Sequence, residues 1–248
     1  MSYYLDRAIE NLDDENRLFE LCRMDSLKVD LKKTALKNPK LAKNQGLLME
    51  IILKENSFFF AEHAIEILLD GKSDEERQGL LFEIVNNAES VDIAYGALKS
   101  LRNKDYLEMT ALNTRTPGEI RARAIRILYE PIGQSEHEDV FLGDDDWRVR
   151  SAIINLGTSD DALIGIVNND GDNRVRQKAL IHIGNDEFLH DFALSGDCLA
   201  LVFSTINHME NRELLRSVRD SSDDELIRAC AQDRIDFLEA KPSALFSF

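Results

Sequence analysis

A short pattern of aliphatic and small residues recurs along this chain at intervals of 26 to 33 residues. In its clearest copy, Val175 is followed four residues later by Ala179 and then by Leu180 and Ile183. Self-similarity at this period is typical of a stack of like units, each of which buries its apolar face against its neighbours. The small residues that mark the same position in successive copies are Ala35, Ala64, Ala97, Ala124, Ala152, Ala179, Thr205 and Ala231.

Each copy predicts a pair of helices. Offsets of four, five and eight residues from the leading aliphatic position place the apolar side chains on one stripe of a first helix. A second apolar pattern with the same helical spacing follows most copies, as at Leu80, Leu81, Ile84 and Val85. Asp and Asn crowd the links, where they suit turns and helix starts. With only 12 glycines and 4 prolines, the chain has little room for many tight β-turns. The sequence therefore predicts an all-α fold.

The predicted helices divide the chain into three parts. Residues 1–24 lie outside the repeating frame and predict an N-terminal helical cap, which covers the first apolar face of a stack. Residues 25–240 form the repeat array, with a lengthened link at 131–143 that ends in a truncated second helix. Residues 241–248 form a C-terminal tail, whose apolar side chains either dock on the last repeat or belong to a free end.

The repeat also resembles a known family. The frame Asp/Pro-x-x-Ile/Val-Arg-x-x-Ala, which begins at Pro117, Asp172 and Asp224, is similar to HEAT-like repeats, in the short form of phycobilisome-lyase-type and armadillo-like proteins. The likeness is clearest between about residues 90 and 238. It implies a right-handed α-α superhelix, a solenoid of about seven to eight helical-hairpin repeats. Such repeats mostly serve as binding scaffolds, so the resemblance implies protein binding rather than catalysis.

The resemblance further implies a structural ladder of acids and arginines. The acid would cap the first helix, where a carboxylate meets free amide groups. The arginine would bridge acceptors in neighbouring units, although a row of ligand-binding arginines is the alternative. Around Leu201, Cys198 and Val202 occupy the two positions, so the ladder should break there. Its predicted members are Asp146, Arg150, Asp172, Arg176, Asp224, Arg228 and Arg121.

Negative charge is concentrated towards the C-terminus. The chain has 30 Lys and Arg against 46 Asp and Glu, a net charge of −16. Residues 131–248 alone hold 11 basic and 23 acidic residues, a net charge of −12. Such a field repels phosphate backbones and attracts cationic partners, although acidic surfaces also simply keep proteins in solution. The predicted partner-binding residues are Asp144, Asp145, Trp147, Asp160, Asp161, Asp186, Glu187, Glu210 and Glu213. For Trp147, packing against the preceding loop is the alternative.

No pattern of a catalytic, metal or cofactor site stands out in the sequence. The three cysteines are scattered, no glycine-rich phosphate loop is present, and no histidine makes a close metal pair with another His or Cys. No apolar stretch reaches the length of a membrane helix. We therefore expect a cytoplasmic, non-enzymatic scaffold that binds a basic protein or peptide, with no cofactor, no nucleic acid and no membrane partner. The sequence does not predict the oligomeric state.

Three alternatives remain open at this point. Some alkylpurine DNA glycosylases are built from HEAT-like repeats, but they use a basic channel with paired aromatics, whereas this chain is acidic and has one tryptophan. A lyase or carrier for a bilin rests on the resemblance alone, and no cysteine or histidine pocket supports it. The lysines between Lys28 and Lys43 form either a solvated helix face or a contact with nucleic acid or an acidic surface, without aromatics for stacking.

Overall fold

A computed structural model describes residues 2–129, 137–154 and 157–240, and every regular element in these ranges is an α-helix. The all-α prediction is confirmed for this part of the chain. The predicted tail, 241–248, and the first part of the lengthened link, 131–136, lie outside the described residues. Contacts along the chain define two compact units, Met1–Leu128 and Tyr129–Phe248.

The first unit is built from helices that pack on their neighbours in chain order. α3 packs on α1 and α2, the row continues from α3 to α6 and α8, and a second row runs from α5 to α7 and α9. The helices are α1 (Ser2–Glu10), α2 (Glu15–Arg23), α3 (Val29–Lys37), α4 (Pro39–Ala42), α5 (Gln45–Lys54), α6 (Phe58–Leu69), α7 (Asp74–Asn87), α8 (Val91–Leu98), α9 (Lys104–Leu112) and α10 (Gly118–Tyr129).

The second unit repeats this arrangement. α12, α14, α16 and α18 pack each on the next, α15 packs on α17, and α13, α15 and α17 each pack on the helix that directly follows in the chain. The helices are α11 (Glu138–Leu142), α12 (Trp147–Ile153), α13 (Asp160–Asn169), α14 (Asn173–His182), α15 (Asp186–Ser195), α16 (Leu199–His208), α17 (Arg212–Ser221) and α18 (Glu225–Ala240). α11 coincides with the truncated second helix that the lengthened link predicts.

The small residues of the repeat lie in the core of the two units. All eight marker positions, from Ala35 to Ala231, are buried, and none is more than 8 % exposed. Each lies within a helix, and a small side chain there allows a neighbouring helix to approach closely. The interval at which the pattern recurs in the sequence is therefore the interval at which a buried small residue recurs among the packed helices.

Buried amide side chains fix several links of the first unit. Asn38 donates through Nδ2 to the carbonyls of Ile9, Glu10 and Leu12 at 2.8, 3.2 and 3.0 Å, which holds the link between α1 and α2. Gln78 makes three hydrogen bonds of 2.7 to 3.2 Å to the link between α8 and α9. These amides satisfy backbone groups that would otherwise be buried without partners.

None of the described helices is long and apolar enough to cross a membrane.

Candidate interaction surface

The first turns of α13, α15 and α17 lie next to one another in the second unit. Asp160 at the start of α13 accepts the backbone N–H of Gly184, just before α15, at 3.0 Å. Asp186 in the first turn of α15 accepts from the side-chain amide of Asn211, the N-cap of α17, at 3.2 Å. We name this surface the acidic edge. Five of its six members lie in these first turns, and Glu210 directly precedes Asn211; the other five are Asp160, Asp161, Asp186, Glu187 and Glu213.

The carboxylates of the acidic edge face solvent. Asp160 is half-buried and the other five members are exposed. Within the described ranges, no lysine or arginine forms an ion pair with any of the six. Acids in the first turn of a helix are stabilised by the free N–H groups there, so this position concentrates negative charge without opposing the fold. The edge therefore presents carboxylates that form no ion pair with a described lysine or arginine, at the starts of α13, α15 and α17.

Among the described residues, Trp147 contacts the core of the second unit and two arginines, and not the members of the acidic edge. Its ring is half-buried and packs against the core of the second unit. The guanidinium carbon of Arg174 lies 3.7 Å from the ring centroid, and that of Arg148 lies 5.1 Å away. Arginines covering the ring face form cation–π contacts that favour a packing role for this tryptophan over an open recognition surface.

The three predicted capping acids lie at helix starts. Asp146, Asp172 and Asp224 each accept the backbone N–H two residues later, at 2.8, 2.9 and 2.7 Å, at the beginning of α12, α14 and α18. α16 begins after Cys198, whose side chain makes no hydrogen bond to the helix start. The gap in the caps thus occurs in the copy whose sequence lacks the acid.

Arg150 connects two links of the second unit. Its Nε and Nη2 donate to the two carboxylate oxygens of Asp170 at 2.8 and 3.0 Å. Its Nη1 donates to the carbonyls of Asp144 and Asp145 at 2.8 and 3.0 Å. The side chains of Arg150 and Asp170 are only 16 % and 10 % exposed. The hydrogen bonds to the Asp170 carboxylate raise the pKa of Arg150. Through these hydrogen bonds, the backbone carbonyls of Asp144 and Asp145 contribute to the stability of the fold.

Arg176 repeats the arrangement one copy later. It pairs with both carboxylate oxygens of Asp197 at 2.6 and 3.1 Å and donates to the carbonyl of Val167 at 2.7 Å. The same pairing lowers the pKa of Asp197. Arg228 and Arg121 each donate to a carbonyl in the link before their own helix, at 2.9 and 3.0 Å. Arg150, Arg228 and Arg121 therefore brace the link before their own helix, Arg176 braces the last turn of α13, and Arg150 and Arg176 also reach an acid in a later link.

The acceptors Asp170 and Asp197 pair with the ladder arginines Arg150 and Arg176 and are not among the predicted members of the ladder. They lie in successive links, 27 residues apart. This interval matches the period of the repeat, and it is the signal by which they can be found in the sequence.

A serine, a histidine and an aspartate also come together in the second unit. His190 Nε2 lies 3.0 Å from Ser217 Oγ, and its Nδ1 lies 3.1 Å from Asp191 Oδ1. Ser217 lies inside α17, where the backbone N–H groups around it are used within the helix and cannot hold an oxyanion. The hydrogen bond between His190 and Ser217 is therefore better explained as a packing contact between α15 and α17 than as part of a hydrolytic site.

Among the described residues, no three His, Cys, Asp or Glu side chains are placed to hold a metal ion.

The pair formed by Asp172 and Arg174 makes stability depend on pH. Arg174 Nη2 donates to Asp172 Oδ2 at 2.6 Å, and this contact lowers the pKa of Asp172 to about 2. A carboxylate whose pKa is lower in the folded state stabilises the fold above its unfolded pKa and loses that effect as the pH falls through its folded pKa. The contribution of Asp172 is therefore complete above about pH 4 and disappears towards about pH 2.

The variant Asp172→Asn isolates this contribution, because asparagine also caps helices well. We expect the variant to unfold at a lower temperature than the parent protein at pH 5 and above, and the difference to shrink as the pH falls from about 4 to 2. Thermal unfolding followed by far-UV circular dichroism across this range measures it. A difference that stays constant across the range would contradict the assignment.

The chain matches no protein-family model, and no curated protein or solved structure is significantly similar to it.

Proposed function

We propose that this protein is a non-enzymatic interaction scaffold that binds a basic protein or peptide along the acidic edge. The observation that carries the proposal is the placement of α13, α15 and α17 with their first turns together. An extended cationic partner lying along this edge meets carboxylates from three helices in succession. Opposite charge on the two surfaces steers their encounter and sets which partners are accepted.

The repeating architecture supports the same function. Within each unit we propose a HEAT-like stack of helical hairpins, supported by the rows of helices that pack in chain order and by the buried small residue in each copy. A stack of this kind places equivalent parts of successive repeats along one side, so that a single surface chemistry is repeated at regular intervals. The right-handed superhelix over the whole chain and the cytoplasmic location remain predictions from the sequence.

The proposal predicts binding that weakens with salt. Each exposed ion pair contributes little by itself, and its attraction is screened over about 10 Å at 0.1 M salt. A fluorescein-labelled peptide of ten lysines is the probe, and fluorescence anisotropy gives its dissociation constant. We expect the constant to rise at least about tenfold between about 20 mM and 300 mM salt. Binding that does not respond to salt would contradict an electrostatic edge.

A pair of triple variants locates the binding surface. Neutralising three exposed members of the acidic edge is expected to raise the dissociation constant of the lysine probe about tenfold at low salt. The matched control neutralises three exposed first-turn acids of α7 and α9 in the first unit and is expected to bind like the parent. The edge variant is Asp161→Asn, Glu187→Gln and Glu213→Gln, and the control is Asp74→Asn, Glu75→Gln and Asp105→Asn. Equal weakening by both would mean that overall charge, and not the edge, holds the probe.

A further inference from the structure

A shallow surface cavity of about 440 Å³, largely open to solvent, lies beside α13 in the second unit. We name it the α13 cavity. One wall is apolar and consists of Leu142 from α11 together with Ala162 and Ile166 from α13. Gly165 lines it as well, and a Cβ atom built at this position would have no heavy atom within 4 Å. The missing side chain leaves open space at the middle of the helix. The volume of the whole cavity is in the size range of pockets that hold ligands.

The polar side of the cavity offers no free cation. Arg150 and Asp170 line this side, and the guanidinium is already engaged by the carboxylate and by two backbone carbonyls. An anionic ligand would therefore have to displace an existing ion pair. An apolar group entering the cavity instead covers Leu142 and Ile166 and leaves the pair intact, which makes burial of apolar surface the main source of affinity here.

The cavity lies next to a member of the acidic edge. Asp161 precedes Gly165 by four residues on α13, so the two positions are neighbours on the same face of the helix. Asp161 is exposed. A chain that places an apolar side chain at Gly165 therefore brings its adjacent residues within reach of the Asp161 carboxylate, and lysine or arginine is the complementary choice there.

We infer that the α13 cavity receives one large aliphatic or aromatic side chain of the cationic peptide that binds the acidic edge. This inference rests on the proposed function and adds an anchor to it. The partner is then a basic segment with a large apolar residue flanked by lysine or arginine. The edge supplies attraction that depends on salt, and the cavity supplies selection for one apolar residue, because a few buried side chains carry most of the energy of an interface.

Two synthetic probes separate these contributions in the unmodified protein. Both are labelled nonapeptides in which lysine alternates with glycine, and they differ at the central residue, which is phenylalanine in one and glycine in the other. We expect the phenylalanine probe to bind about tenfold more tightly at low salt, as burial of an aromatic ring implies. The ratio of the two dissociation constants should persist as salt weakens both.

The variant Gly165→Leu fills the cavity. Its side chain grows into open space, and leucine favours a helix more than glycine does, so we expect no loss of thermal stability. The variant should lose the preference for phenylalanine and bind the glycine probe like the parent protein. Ala162→Phe blocks the same cavity from the preceding turn and serves as a second test. The control Gly79→Ala, in the interior of α7, should retain the preference.

Each outcome decides the question. Equal binding of the two probes by the unmodified protein overturns the inference and leaves the proposed function standing. Failure of both probes to bind at low salt overturns the proposed function together with the inference. A preference for phenylalanine that survives in both Gly165→Leu and Ala162→Phe shows that the ring binds elsewhere, and this also overturns the inference.

Discussion

Replacing Arg150 by methionine is expected to lower the free energy of unfolding of the second unit by about 3 kcal/mol. The change leaves the largely buried Asp170 carboxylate without its partner and removes the donor from the carbonyls of Asp144 and Asp145. An uncompensated buried charge costs more than the mere loss of a favourable contact. Urea unfolding measures the effect, with fluorescence of Trp147, the single tryptophan, as a signal from the second unit.

Two further variants show whether the cost comes from the unpaired charge. Adding Asp170→Asn to Arg150→Met removes that charge and keeps an acceptor for the backbone, so the double variant should recover part of the lost stability. The control Arg216→Met breaks a 3.0 Å contact with Glu239 whose side chains are 49 % and 48 % exposed, and should cost less than about 1 kcal/mol. A loss as small as this for Arg150→Met would show that the ladder does not stabilise the unit.

The helices and their packing rows follow from features that are local in the sequence. The apolar stripe that includes Val175, Ala179 and Leu180 has helical spacing, and α14 occurs there with all three side chains buried. The capping positions of Asp146 and Asp172 are equally local, because a carboxylate before an apolar stripe satisfies the free N–H groups of its own helix. Such features depend on a few adjacent residues and are readable without knowledge of the rest of the fold.

Contacts between segments that are distant in the sequence were not predictable in this way. Asn38 and Gln78 are buried, yet Asn and Gln in a sequence are equally compatible with exposed turns, and nothing near them indicates the links that they hold. Asp170 lies in a link rich in Asp and Asn, whereas Asp197 is the single acid of its link, and in both links the contact with an arginine depends on the conformation of the link. The division into two units likewise emerges only from contacts summed over the whole chain.

The candidate site shows the same division between local and distant causes. Five of the six acids of the edge were predictable as first-turn residues of second helices, because the helix starts were predictable. That the three first turns meet depends on Asp160 reaching Gly184 and on Asn211 reaching Asp186. The α13 cavity has no sequence signature, since it arises from a glycine, a short α11 and an arginine that lines the cavity while bound to its own partners.

Replacing Gly196 by alanine is expected to destabilise the second unit by about 2 kcal/mol. A Cβ atom at this position would lie 2.7 Å from the carbonyl oxygen of Phe192 and 2.8 Å from a methyl group of Val202. The carbonyl belongs to the last turn of α15 and Val202 to the first turn of α16, so relief of the clash requires the two helices to move apart. Urea unfolding followed by far-UV circular dichroism gives the change in free energy.

The matched control makes the same chemical change where space is open. Gly165 lies in the interior of α13 and a Cβ atom there meets no heavy atom within 4 Å, so Gly165→Ala should stabilise the unit by up to about 1 kcal/mol through helix propensity. Opposite signs for the two substitutions would show that close approach of α15 and α16, and not the general effect of glycine on the unfolded chain, fixes glycine at position 196. A stabilising effect at both positions would contradict the close packing described for this link.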